Sequence, residues 1–109
     1  MAKLEKAING NFDGILQRIE RGILDGSISA SLEDGSDFVC GSARVSVRVF
    51  ERYSMIGSNR VSLSVTLFQG EDGVVRMSAI TSGGSQAVFM KLNTFGEEAF
   101  LDQLRRLVE

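Results

Sequence analysis

The sequence contains no histidine, tryptophan or proline, and it has a single cysteine. Histidine is the commonest general base and the commonest metal-ligating side chain in proteins. Its absence excludes a Ser-His-Asp or Cys-His catalytic mechanism built from this chain alone. Because Cys40 has no second cysteine to pair with, an intrachain disulfide is excluded as well. This cysteine usage suits a reducing compartment, and we expect a cytoplasmic protein.

Length and composition predict one globular domain, residues 1–109. Hydrophobic residues make up 43% of the chain and charged residues 24%, both ordinary for a folded domain. The net charge of −2 argues against bulk attraction to nucleic acid. The sequence has no run of about 18 apolar residues and no apolar signal-peptide core at its start. We therefore expect neither nucleic-acid binding nor membrane insertion.

Two amphipathic helices are predicted. Asn11 is a good N-cap, and the apolar stripe from Phe12 to Ile23 predicts a helix over 12–25. Gly26 follows at the position where a left-handed C-terminal cap is common. Near the end of the chain, Thr94 and Glu97 have the spacing of a capping box and predict a second helix over 95–109.

Alternation of apolar and polar residues predicts an antiparallel sheet between the helices. A short strand at 3–8 comes first, and strands at 27–33, from 37 onward, at 60–68 and at 74–82 follow, with 86–92 as a further strand or a linker. Asp34-Gly35 is a hairpin signal, and Gly41-Ser42 is the predicted site of a β-bulge. The predicted fold is α+β: a two-layer sandwich with four to six strands, in the order β-α-β-β-β-β-β-α, and with both helices on one face.

The alternation also assigns side chains to the two faces of the sheet. In the strand at 60–68, the odd positions from Val61 to Leu67 are aliphatic and the even positions carry hydroxyl groups. The same rule assigns Ile28, Ala30, Leu32, Val45, Val47 and Val49 to the buried face. It assigns Arg44, Ser46, Arg48, Phe50 and Arg52 to the open face, with Phe68 on the neighbouring strand.

The predicted open face is rich in serine, threonine and arginine. The chain has nine arginines and three lysines, and arginine presents a planar fork that suits carboxylates and phosphates. Few outward acids are expected beside these arginines, and the glycine-rich turn at 81–86 is able to direct backbone N–H groups at an anion. The candidate ligand-binding residues are Arg44, Arg48, Arg52, Arg60, Arg76, Ser82, Ser85 and Gln86.

Each of these features has a structural interpretation beside the functional one. Antiparallel sheets commonly expose one solvated face, and paired glycines are typical of a tight hairpin. Cys40 on an apolar phase is typical of a small core residue. Glu51 and Tyr53 are a candidate acid–base pair or an exposed strand end. The acidic pairs match no metal-binding loop, so we predict no metal and no cofactor.

Three segments of the sequence resemble a family of short bacterial proteins classed as a domain of unknown function. The segments are FDGILQRIERGILDGSISASLEDGSDF, VRVFERYSMIGSNRVSLSVTLFQ and SAITSGGSQAVFMKLNTFGEEAFLDQL, of which SAITSGGSQ and NTFGEEAFLD are the most specific parts. The resemblance covers about residues 3–104 and implies a bacterial, cytoplasmic, stand-alone domain without a known activity. The element order is also similar to that of small helix-grip domains, at the level of fold alone.

The leading hypothesis is a non-catalytic domain that binds a protein partner or a small anionic ligand through the Ser/Thr/Arg face. The alternatives are a small histidine-independent enzyme using Glu51 or Tyr53, and a purely structural homodimeric module. We expect a homodimer, because short side chains let two such faces approach closely and exposed aromatics such as Phe50 and Phe68 are enriched at interfaces.

Overall fold

A five-stranded antiparallel sheet and two helices make up the fold. The computed structural model describes residues 1–54, 59–83 and 90–109. The elements are β1 (Ala2–Ile8), α1 (Phe12–Asp25), β2 (Ser31–Cys40), β3 (Ala43–Ser54), β4 (Asn59–Gln69), β5 (Val75–Gly83) and α2 (Met90–Val108). The predicted α+β class and the order of the elements are confirmed. Of the segment 86–92, which we predicted to be a strand or a linker, residues 90–92 belong to α2.

Helix α1 has the predicted bounds. The Asn11 side chain accepts a hydrogen bond from the Gly14 backbone N–H at 2.9 Å, which satisfies one of the free donors at the helix start. The apolar stripe is buried throughout, from Phe12 to Ile23. The expected left-handed conformation of Gly26 is wrong: its φ is −77°, and its N–H continues the helical pattern by bonding to the Gly22 carbonyl.

The first long hairpin does not turn where the sequence suggested. Asp34 and Gly35 lie inside β2, and the chain reverses at Gly41-Ser42, where φ of Gly41 is 59° and Cys40 pairs with Ala43. The β-bulge that we predicted at Gly41-Ser42 is not there. The register of this hairpin shifts at Glu33 instead, because Leu32 pairs with Phe50 and Asp34 pairs with Val49.

Gly35 has a different use from the predicted turn. It pairs with Arg48 across the ladder, and a Cβ at this position would lie 3.0 Å from Arg48 Cδ. The missing side chain therefore gives the Arg48 side chain room beside β2.

The strands are ordered β1-β5-β4-β3-β2, with every neighbouring pair antiparallel. Both helices pack on one face, as predicted, and the other face is covered by no element within the described residues. The core between the layers is made of apolar side chains from α1, α2 and the sheet, including Ile19, Ile23, Leu63, Leu67 and Phe100. We call the uncovered side the outer face and the helix-covered side the inner face.

The predicted assignment of β3 to the two faces is inverted. Phe50 is fully buried on the inner face, in register with Leu63, whereas Val45, Val47 and Val49 lie on the outer face. Ile28 was predicted to lie in a strand over 27–33, but β2 begins only at Ser31, and Ile28 is fully exposed. A ring as large as that of Phe50 fills the space under the helices better than a valine does, because Phe buries the larger apolar area.

Helix α2 begins at Met90, so the predicted start after a Thr94 cap is wrong and Thr94 lies inside the helix. Glu97, which we predicted to act in the capping box, is 4% exposed and bonds elsewhere. Its carboxylate accepts hydrogen bonds from the Met1 ammonium group at 2.7 Å and from the Gly83 backbone N–H at 3.0 Å. Glu97 therefore ties the start of β1 and the end of β5 to α2.

Candidate functional site

Three of the predicted site arginines point toward the helices and not toward solvent on the outer face. Arg44 is the first of them. Its guanidinium donates to the Asp13 carboxylate at 2.8 Å and lies 4.0 Å from the centre of the Phe12 ring. Both partners belong to the first turn of α1. Arg44 therefore holds the beginning of that helix against β3.

Arg48 makes the most extensive set of bonds. Its Nε donates to Glu20 on α1 at 2.9 Å, and Nη2 lies 3.1 Å from Asp37 on β2. Hydrogen bonds from Ser46 and Arg48 hold the pKa of Asp37 below its ordinary value. Burial disfavours the charged form of Arg48, but its bonds to Glu20 and Asp37 outweigh that effect and raise its pKa.

Arg52 has an amide as its partner in place of an acid. It donates to Gln103 Oε1 at 2.8 Å and lies 4.7 Å from the centre of the Phe100 ring. Burial lowers the pKa of Arg52. The Gln103 amide nitrogen in turn donates to the carbonyl oxygens of Gly22 and Ile23 at the end of α1, at 3.2 and 3.3 Å.

The three β3 arginines thus connect the sheet to the helices, and their predicted place on the open face is wrong. The reason is the shape of the side chain. A long aliphatic stem packs on apolar surface while its charged end reaches partners at the edge of the layer. The four-residue spacing places all three on the same side of β3.

Arg60 and Arg76 do lie on the outer face, but each is paired with an acid. Arg60 donates to Glu51 at 2.9 Å, and Arg76 donates to Asp72 at 2.9 Å, a bond that holds the pKa of Asp72 below its ordinary value. The expectation of few outward acids is therefore wrong. Eight residues separate Arg60 from Phe68, the register partner of Arg76, so the two arginines are about 26 Å apart along the sheet.

The remaining predicted site residues do not complete a single site either. Ser82 lies on β5 opposite Ser62, whose hydroxyl donates to the Ser82 carbonyl at 3.2 Å. Ser85 and Gln86 lie outside the described residues. The six described residues of the predicted eight are thus distributed over two faces of the sheet and form no common pocket.

What the outer face presents is a neutral centre. The cross-strand register aligns Val47, Thr66 and Ser78 in one row and Val49, Ser64 and Ile80 in the next. With Val45, Ser62 and Phe68 these residues form what we call the neutral patch, which carries no charge. The described charges of the face lie around it: Lys3, Glu5, Asp34, Glu51, Arg60, Asp72 and Arg76.

Phe68 is the most prominent side chain of the neutral patch, at 43% exposure. On one side of it lies a shallow hollow of about 430 Å³ that Thr66, Arg76 and Ser78 also line. On the other side is a smaller hollow of about 150 Å³, whose walls include Phe38 and Val45. The face therefore has a projecting ring flanked by two concave areas.

Sequence reasoning missed the apolar part of this face because of the inverted phase. Phe38 is 68% exposed and pairs with Val45, which pairs in turn with Phe68. Cys40, predicted to be a core residue, is exposed beside them. One feature of the sequence did indicate the correct face. Phe50, Arg44 and Arg48 all occupy even positions and so share one face of β3, and a strand buries its largest aromatic side chain in preference to valine.

Neither the predicted acid–base pair nor the acidic residues add a reactive centre to the described residues. Glu51, the candidate acid of an acid–base pair with Tyr53, is bound by Arg60 as described above. No three potential metal ligands cluster anywhere in residues 1–54, 59–83 and 90–109. Within the same ranges, neither helix has the length and apolar character to cross a bilayer.

The sequence matches DUF6054, a family of unknown function, over residues 1–109. The chain belongs to this family. Comparisons with curated proteins and with solved structures gave no match. The predicted resemblance to a family of unknown function is thus confirmed, and the match extends from the predicted residues 3–104 to residues 1–109.

Proposed function

We propose that this DUF6054 chain is a non-catalytic cytoplasmic binding module whose partner occupies the outer face, and that this partner is a second copy of the chain. The observation on which this rests is the neutral patch surrounded by charges. Protein interfaces are depleted of charged residues at the centre and polar at the rim, and they are enriched in aromatic residues. Phe68 provides an exposed aromatic residue at one end of the patch, beside Arg76.

The charges at the rim favour a second copy over an anionic ligand. Arg60 and Arg76 are neutralised by Glu51 and Asp72, so the face offers no unpaired guanidinium to a free anion. The neutralised rim also removes the like-charge repulsion that two identical faces would otherwise suffer. A two-fold axis places each patch against its own copy. The Phe68 ring of one copy then has a hollow of the other to enter.

The size of the face fits a specific dimer. The five strands are 7 to 12 residues long. At about 4.8 Å between strands and about 3.3 Å per residue, the face covers on the order of 700 Å². Standard interfaces bury about 800 Å² on each partner. A face-to-face dimer of standard size therefore needs the whole outer face.

Light scattering coupled to gel filtration tests this proposal. We expect the wild type to be dimeric at micromolar concentration and a Ser64→Glu/Phe68→Glu variant to be monomeric, because the interface would bury four unpaired carboxylates. The matched control is Gln17→Glu/Ile28→Glu, which adds the same charge at two exposed positions away from the outer face and should remain dimeric.

Two results would contradict the proposal. A monomeric wild type excludes self-association. A dimeric Ser64→Glu/Phe68→Glu variant moves the interface to another surface, for example to the open edge of β2, where pairing depends on backbone bonds and is less sensitive to side chains.

A further inference from the structure

The unpaired arginines of the described residues lie on the two helices and not on the sheet. Among the described residues, Arg44, Arg48, Arg60, Arg76 and Arg105 each have a carboxylate within 4.0 Å, and Arg52 is bonded to Gln103. Arg18 and Arg21 on α1 and Arg106 on α2 have no carboxylate at that distance within the same part of the chain. Asp25 follows Arg21 by four residues, a spacing that favours a helical ion pair, yet the two side chains do not meet.

Arg18 and Arg21 both line one groove. It lies along α1 beside the end of α2, has a volume of about 400 Å³, and is lined by Gly14, Gln17, Arg18, Arg21, Gly22 and Leu107. Small-molecule sites are typically about 300–1,000 Å³.

Two glycines shape this groove. Gly22 lets α2 approach, since a Cβ there would overlap the Leu107 side chain. Gly14 leaves the end of the groove near the start of α1 without a side chain.

The lining has the chemistry of an anion site. Arg18 and Arg21 are three residues apart, so their like charges are neighbours on the helix surface and repel each other. An oxyanion between them removes that repulsion and accepts charge-assisted hydrogen bonds from two planar donors. The Gln17 amide adds a neutral donor, and Leu107 adds an apolar wall.

We propose that this groove between α1 and α2 binds a small organic phosphate, with the phosphate on Arg18 and Arg21 and the organic part on Leu107. A phosphate monoester carries close to two negative charges at neutral pH, which matches two guanidinium groups. The site is separate from the outer face, because α1 covers the inner face of the sheet. It therefore does not depend on the dimer proposed above.

Calorimetric titration with phenyl phosphate and with inorganic phosphate tests the site. We expect phenyl phosphate to bind at least about threefold more tightly, because its ring covers Leu107. An Arg18→Gln/Arg21→Gln variant should lose at least about tenfold in affinity, the effect of removing charge-assisted bonds. The control Lys3→Gln/Arg106→Gln removes the same charge outside the groove and should stay within about twofold of the wild type.

A second variant tests the shape of the groove without changing its charge. A Cβ at Gly14 meets only ordinary contacts, the nearest at 3.6 Å from Asn11 Oδ1, so Gly14→Leu should fold and should occupy the end of the groove beside Arg18. We expect it to abolish phenyl phosphate binding while its circular dichroism and melting temperature show an intact fold. Absence of binding to the wild type, equal losses in the two charge variants, or full binding by folded Gly14→Leu would each overturn the proposal.

Discussion

Replacement of Phe50 and of Phe68 by alanine measures which face of β3 and β4 is buried. The chemical change is the same at both sites, but Phe50 is fully buried and Phe68 is 43% exposed. Truncating a buried Phe costs about 3–5 kcal/mol of unfolding free energy, since transfer and cavity terms add. For Phe68, a little over half of a burial energy of about 1.5–3 kcal/mol is lost and no closed cavity forms, which gives about 1–1.5 kcal/mol.

Urea unfolding followed by circular dichroism gives both values. The measurement should be made at a dilution where the protein is monomeric, so that the free-energy loss at Phe68 includes no contribution from a dimer interface. If Phe50→Ala does not fold, Phe50→Leu and Phe68→Leu preserve the ranking at a smaller cost. Equal losses at the two sites, or a larger loss at Phe68, would refute the assignment of Phe50 to the core and of the β3 valines to the outer face.

Two other predictions concern the polar contacts between the layers. Gln103→Leu should lower the unfolding free energy by about 1–3 kcal/mol, because the Arg52 guanidinium and the last α1 carbonyls lose their partner. Urea unfolding of Gln103→Leu, of Arg52→Met and of the double variant should show that the two losses are not additive. Asp37 has a folded-state pKa held below its ordinary value by Ser46 and Arg48, so its contribution to stability is complete above about pH 4 and disappears as the pH falls through that lower pKa. Between about pH 6 and about pH 3, the unfolding free energy of Asp37→Asn should therefore fall by less than that of the wild type. Urea unfolding at each pH measures both values, and parallel plots of unfolding free energy against pH would contradict this prediction.

Much of the candidate site was not predictable from the sequence. Alternation identified five arginines near the sheet, but it gives only the parity of a residue and not the side of the sheet to which that parity belongs. On β3 both parities carry side chains able to be buried: valines on one, and Phe50 with three arginine stems on the other. The acids that pair with these arginines are 11 to 31 residues away from Arg44 and Arg48 in sequence, so no local pattern revealed them.

Helix α1 and the faces of β4 and β5 were determined by the sequence itself, because each depends on one local period. The stripe from Phe12 to Ile23 has only one helical face to bury, and the alternation in β4 has no competing apolar parity. The position of the first hairpin was decided by tertiary structure. Asp34-Gly35 and Gly41-Ser42 are both good turn sequences, and the choice depends on the register that places Gly35 beside Arg48 and leaves that side chain free to reach Glu20 on α1, a contact that exists only once the helices cover the sheet.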